Sequence, residues 1–192
     1  MDWRERLRTL WVERAVWMRH YILSLMMGLR DLSFIATRLL RNGAEIALIV
    51  SYFYGTEIAG QLENLLTQNV LFLSELASTV KLGGNIEPMA ANWNNTASEL
   101  RELLLKANPH FNRSVWETYI NDQFRLQMDL ALSLSKEKYS EGISNFDFAY
   151  DNANKIAHQM IEGIETQFNL GMILPTGNAS SGFPSPANHT MG

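Results

Sequence analysis

Apolar residues recur at spacings of three and four along nearly the whole chain, and no stretch alternates as a strand would. The first stripe reads Trp3, Leu7, Leu10, Arg14, Trp17, Tyr21 and Ser24. It predicts a helix over residues 2–27, with Asp2 as N-cap and Gly28 in the stop position. Asp31 is placed to cap a short helix over 31–40, closed by Asn42-Gly43. A second short helix over 44–54 ends at Gly55. Thr56 then caps a long helix over 56–82, with Ile58, Leu62, Leu65, Asn69, Phe72, Leu76 and Thr79 on its stripe.

Gly83-Gly84-Asn85 breaks the pattern, and Pro88 sits where a first helical turn tolerates it. The next stripe is Met89, Trp93, Ala97, Leu100 and Leu104, stopped at Asn108-Pro109. Ser114, with Glu117 three positions on, predicts a capping box for a helix carrying Trp116, Tyr119, Gln123, Leu126, Leu130 and Leu134. The last helix, over 140–168, shows Ile143, Phe146, Tyr150, Ala153, Ala157, Met160, Ile164 and Phe168. Residues 171–192 hold three of the five prolines, four glycines and no Asp, Glu, Lys or Arg, and are expected to be a flexible polar tail. The expected fold is all-α. It is a single-domain antiparallel up-and-down helical bundle over 1–170, with the two short helices as a crossover at one end and a disordered tail over 171–192.

Composition narrows the chemistry. The 192 residues include no cysteine and four histidines, His20, His110, His158 and His189. Disulfides, thiolate metal sites and cysteine nucleophiles are therefore excluded. A net charge of −4 gives no reason to expect nucleic acid as a partner. That charge is uneven: residues 1–42 carry eight arginines against four acids, net +4, and the remainder is net −8. The basic segment is expected to pack along acidic neighbours, the alternative being an anionic surface. Polar residues inside the first stripe disfavour a secretory signal, and apolar runs are far shorter than the ~20 residues of a membrane span. A cytoplasmic protein is the expectation.

The informative positions are those where polar residues interrupt apolar stripes. Arg14, Asn69 and Gln123 each occupy such a position near the middle of a long helix. A buried polar group must find a partner or reach solvent, so three facing helices can gather them into one polar pocket. Asp147, beside the last stripe, is the expected counter-charge for Arg14. The plainer alternative is that Arg14 snorkels outward while the two amides bond to neighbouring helices.

Enzyme signatures are scarce. No phosphate loop follows Gly83-Gly84, and no Glu-x-x-His occurs, so no catalytic residue, cofactor or metal is expected. A rival reading is a metal- or small-ligand-binding bundle using Glu162, Asp147, His158 or Asp151. A third is a small anion held by Arg14 and Arg19. An unknown protein partner or self-association remains open.

Several blocks in order carry a likeness. They are Leu10-Trp11, Trp17 and Arg19; Leu29 with Asp31-Leu32; Arg38-Leu39-Leu40-Arg41-Asn42; and Phe53-Tyr54-Gly55. The likeness continues through Leu65-Leu66-Thr67, Trp93, Asn108-Pro109, Tyr139, Phe146-Asp147, Glu162-Gly163-Ile164 and Gln167-Phe168. Over residues 7–169 the chain resembles a family of small helical proteins of spore-forming Firmicutes, many of which carry the label acetylglutamate kinase. True acetylglutamate kinases resemble a parallel α/β sandwich with glycine-rich loops, which this sequence does not supply, so that activity is not expected. The resemblance implies histidines where this chain has Arg14, Asn69 and Gln123, and an aspartate at Ser98. Such histidines look like a metal site inside a bundle. The expectation is a divergent member, without that site, in an interaction or structural role. Spore association is implied by the resemblance alone.

Overall fold

The first helix begins where the sequence places it. Asp2 has extended backbone, and its side chain accepts from the Arg4 amide, opening α1 (Trp3–Met27). Gly28, at φ 67°, closes it in the left-handed region that favours glycine. The computed structural model describes residues 2–170, and the tail expected over 171–192 lies outside the described residues. Four further helices follow: α2 (Leu32–Lys81), α3 (Glu87–Ala107), α4 (Arg113–Ser135) and α5 (Tyr139–Phe168). The described residues form an all-α bundle without strands.

The 50-residue α2 is a hairpin. Gly55 adopts φ 79° and ψ 169°, a conformation open almost only to glycine. In a straight helix residues 43 and 66 would stand ~35 Å apart. Instead, a Cβ placed on Gly43 would lie 3.6 Å from Leu66 Cβ. The two arms therefore fold back on one another. Contacts with α1 agree. Asn42 Nδ2 donates to the Leu10 carbonyl at 2.9 Å, and the Trp3 and Phe53 rings lie 4.8 Å apart. The first arm thus runs antiparallel to α1. Arg14 bonds the Leu66 carbonyl and Lys81 the Leu25 carbonyl, so the second arm runs parallel to it.

The remaining helices continue the alternation. Trp93 of α3 packs against Phe72 and Phe124, and Arg101 stands 3.7 Å from Glu117 on α4. Trp11 Nε1 donates to Met160 Sδ at 3.1 Å, and Arg4 pairs with Glu165, closing α5 against α1. One apolar core runs through all of them, with Leu7, Leu39, Leu62, Leu100, Trp116 and Ile156 among its most buried members.

Four local expectations change. Residues 31–54 are not two short helices forming a crossover. Asn42-Gly43 is buried inside a continuous arm, where the Asn42 amide grips α1 and Gly43 lets the second arm approach. Asp31 makes no side-chain cap bond; its carboxylate accepts from Ser24 Oγ at 2.8 Å. Asn112, not Ser114, caps α4, accepting from the Ser114 and Val115 amides. In the first turns of α5, Ile143 and Tyr150 face solvent while Gly142 and Ala149 face the core.

Candidate functional site: a buried polar chain

The middle of α1 sends a guanidinium into the core. Arg14 is buried, with Nη2 donating to the Leu66 carbonyl at 2.8 Å and to Asn69 Oδ1 at 3.4 Å. Asn69 Nδ2 donates in turn to Gln127 Oε1 at 3.0 Å. One turn earlier on α4, Gln123 Oε1 accepts from Asn152 Nδ2 at 3.0 Å, and the same amide donates to the Tyr119 carbonyl at 2.7 Å. Arg14, Asn69, Gln127, Gln123 and Asn152 are all buried. A polar seam thus has two hydrogen-bonded parts, Arg14–Asn69–Gln127 and Gln123–Asn152, one turn apart on α4, and together they touch α1, the second arm of α2, α4 and α5.

The structure joins Arg14 to Asn69 and ties Gln123 to Asn152. It leaves Asp147 out. Asp147 is exposed, five residues before Asn152 and so turned about 140° from it around the helix axis. The position on α5 that meets the seam carries an amide, not an acid. Arg14 consequently has no carboxylate beside it among the described residues, and desolvation alone pushes its pKa down to about 10. Arginine does not snorkel here: 5% of it is exposed. The aliphatic stem is short of the surface because α2 folds both arms over the middle of α1.

Gln127 and Asn152 are the members that stripe reading missed. Gln127 lies four residues after Gln123, on the same face, and that spacing was the available signal. Asn152 precedes Ala153 on the last stripe and gave no comparable signal.

A second polar knot sits at one end of the bundle, where α3 turns into α4. Asn108 is completely buried; its Oδ1 accepts from the His110 amide at 2.8 Å and its Nδ2 donates to Tyr54 Oη at 2.9 Å. Burial pushes the Tyr54 phenol up to about 12. Beside it an open groove of about 700 Å³ is lined by His110, Phe111, Glu162, Gly163 and Glu165. Its carboxylates are engaged: Glu165 by Arg4, and Glu162 by Gln159 and His158, the latter at 3.2 Å.

The residues of the rival metal reading do not converge. Asp147, Asp151, His158 and Glu162 are exposed along α5, and no group of three or more His, Asp or Glu able to hold a metal ion occurs among the described residues. Arg14 and Arg19 also separate: Arg19 stacks over the Phe146 ring, 5.1 Å from its centroid. The basic N-terminal segment is balanced mainly from nearby in sequence. Arg38 pairs with Glu13, and Arg6, Arg38 and Arg41 surround Glu45. Arg4 with Glu165 is the pair that reaches a distant acid.

Chemically, the seam is a cation and four amides. It can donate and accept hydrogen bonds, and at neutral pH it offers neither a nucleophile nor a group poised to exchange a proton. No helix among the described residues is long and apolar enough to cross a membrane. No protein-family model, curated protein or solved structure matches the chain.

Proposed function

We propose that this chain is a non-catalytic helical bundle with an interaction or structural role, a divergent member of the helical family it resembles. In this reading the seam stands where that family's metal-type site would be. The observation that carries it is Arg14. A guanidinium buried without an acid, hydrogen-bonded to Leu66 and Asn69, fills the interior with positive charge and repels a divalent cation. Asn69 and Gln123 are likewise engaged with other amides rather than aimed at an open cavity. The all-α fold also argues against the acetylglutamate kinase label, since the described residues offer no sheet edge or glycine-rich loop for a nucleotide. The same reading sets the protein in the cytoplasm and, through the resemblance, in spore-forming bacteria.

Metal analysis of the purified chain tests this, together with melting curves in zinc, manganese and iron(II). The expected result is substoichiometric metal and unchanged melting. Stoichiometric metal that raises the melting temperature overturns the reading in favour of a metal-binding bundle. The combined variant Arg14→His, Asn69→His, Gln123→His tests the relation to the family site: zinc uptake by that variant, absent from the parent, is the expected outcome.

A further inference from the structure

The reversal of α2 rests on one residue. Gly55, at φ 79° and ψ 169°, is the single position inside Leu32–Lys81 whose dihedrals are not helical. Tyr54 and Thr56 on either side are helical, so no loop separates the two arms. Two dihedral angles therefore decide between a hairpin and one straight helix of roughly 75 Å. Gly55 is exposed, and a Cβ built on it meets nothing within 4 Å, so no packed side chain wedges the bend. Backbone held in this region of φ and ψ is characteristic of segments with two arrangements.

What keeps the hairpin closed lies elsewhere, in contacts between the part before Gly55 and the part after it. Arg14 Nη2 donates to the Leu66 carbonyl at 2.8 Å, and Trp11 Nε1 to Met160 Sδ at 3.1 Å. Asn108 Nδ2 donates to Tyr54 Oη at 2.9 Å, and Lys81 to the Leu25 carbonyl. None of these contacts requires both parts to belong to one chain. Gly43 and Leu66, which meet side by side, stand twelve and eleven residues from Gly55. Two straightened α2 helices, laid antiparallel with Gly55 at a two-fold axis, set Gly43 against the partner's Leu66 in that same register.

We propose that Gly55 is an exchange hinge: by straightening there, two chains trade the unit formed by α1 and the first arm, giving a domain-swapped dimer. Every contact across the divide is made again, now between chains. The hinge gains helical geometry in place of a conformation open almost only to glycine. The opposing cost is the freedom lost in joining two molecules, so the monomer holds at low concentration and the dimer grows as concentration rises. This inference goes beyond the proposed non-catalytic role and is independent of whether the seam admits metal.

The chain lacks cysteine, so engineered thiols report which chain supplies each arm. In the double variant Gly43→Cys, Leu66→Cys the closed monomer should oxidise to a disulfide within one chain, which establishes that the pair is in reach. The two single variants are then incubated together at high concentration in mild urea, returned to buffer and oxidised. A disulfide joining one chain of each kind is expected. Neither single variant alone should cross-link, like positions lying roughly 35 Å apart along the paired helices. Gly55→Ala in the same mixture should raise the joined fraction at least about tenfold, because both hinges of the dimer escape a conformation that alanine resists. Gly60→Ala, which improves the second arm without touching the hinge, should not change it. Absence of the mixed disulfide with the native hinge overturns the proposal, and so does a mixed disulfide that Gly55→Ala fails to increase. Should the cysteines unfold the chain, small-angle scattering of the unsubstituted protein over a concentration series decides. A dimer about twice as long as the monomer is expected. A monomer at every concentration, or a side-by-side dimer no longer than the monomer, overturns the exchange.

Discussion

Arg14 is held at a cost that its neighbours only partly offset. The fall of its pKa to about 10 corresponds to ~3 kcal/mol of unfavourable burial of charge. Its bonds to Leu66 and Asn69 return part of that. Replacing a buried charge by an apolar side chain of similar length is commonly neutral or stabilising. Arg14→Met is therefore expected to raise stability by ~1 kcal/mol in urea unfolding at pH 7, after the lost partner of Asn69 is counted. Asn69→Ala should do the opposite. It strips Arg14 of one acceptor and leaves Gln127 Oε1 without its donor, costing ~2–3 kcal/mol. In the double variant the Asn69 loss should shrink, since the charge it served is gone. Equal losses with and without Arg14 would show that the two side chains are not coupled. Three seam members were legible in the sequence because long polar side chains stand out on an apolar stripe. Asp147 was misjudged because its phase was taken from Ile143 and Tyr150, whereas close helix contact at that end of α5 is made by Gly142 and Ala149.

Among the helices, glycines decide where chain direction and spacing are set, and each asks for a different outcome. A Cβ on Gly55 would touch nothing within 4 Å, so Gly55→Ala meets only the cost of φ 79°. That cost is ~1–3 kcal/mol, concentrated at the hairpin of α2. Gly163 is the reverse case. Its backbone is helical, but a Cβ there would overlap the Phe111 ring and crowd the Asn108 amide. Gly163→Ala is expected to destabilise by ~1–3 kcal/mol through overpacking. Gly60 has neither constraint, being helical and exposed with open space around it. Gly60→Ala should stabilise by ~1 kcal/mol through helix propensity. Thermal unfolding of the three variants checks the set, and a stabilised Gly55→Ala would mean that the hairpin is not held as described. Most outer helix boundaries were readable because caps and apolar spacing agree, whereas the number was not, seven helices being expected where five are found. The pair Asn42-Gly43 was not: its local signal is a stop, and the tertiary contacts to Leu10 and Leu66 outweigh it.

Arg14, buried, and Tyr54, half-buried, lie in separate parts of the bundle and give the whole molecule an unusual alkaline response. Tyr54, hydrogen-bonded to Asn108, has its folded-state pKa raised to about 12 by burial. Between its ordinary value near 10 and that value, the folded chain keeps a proton that the unfolded chain has released, so this contribution to stability is lost as pH rises. Arg14 works in the other direction. Its folded-state pKa is lowered to about 10, so above that pH the folded chain sheds a proton that the unfolded chain still holds, and the burial penalty lifts as pH rises. The two effects oppose each other between pH 10 and 12, with ~3 kcal/mol from the buried Arg14 and less from the half-buried Tyr54, whose contribution solvent screening reduces. Wild-type stability should therefore carry a shallow rising slope from this pair. Tyr54→Phe removes the falling component, so its stability relative to wild type should climb across that window. Arg14→Met removes the rising one, so its advantage of ~1 kcal/mol at neutral pH should vanish and then reverse by pH 11.5, where wild type has gained ~2 kcal/mol. Urea unfolding at pH 8 and at pH 11.5 measures both differences. Parallel pH profiles for wild type and Arg14→Met would mean that the guanidinium keeps its proton throughout, and that a counter-charge holds it there after all.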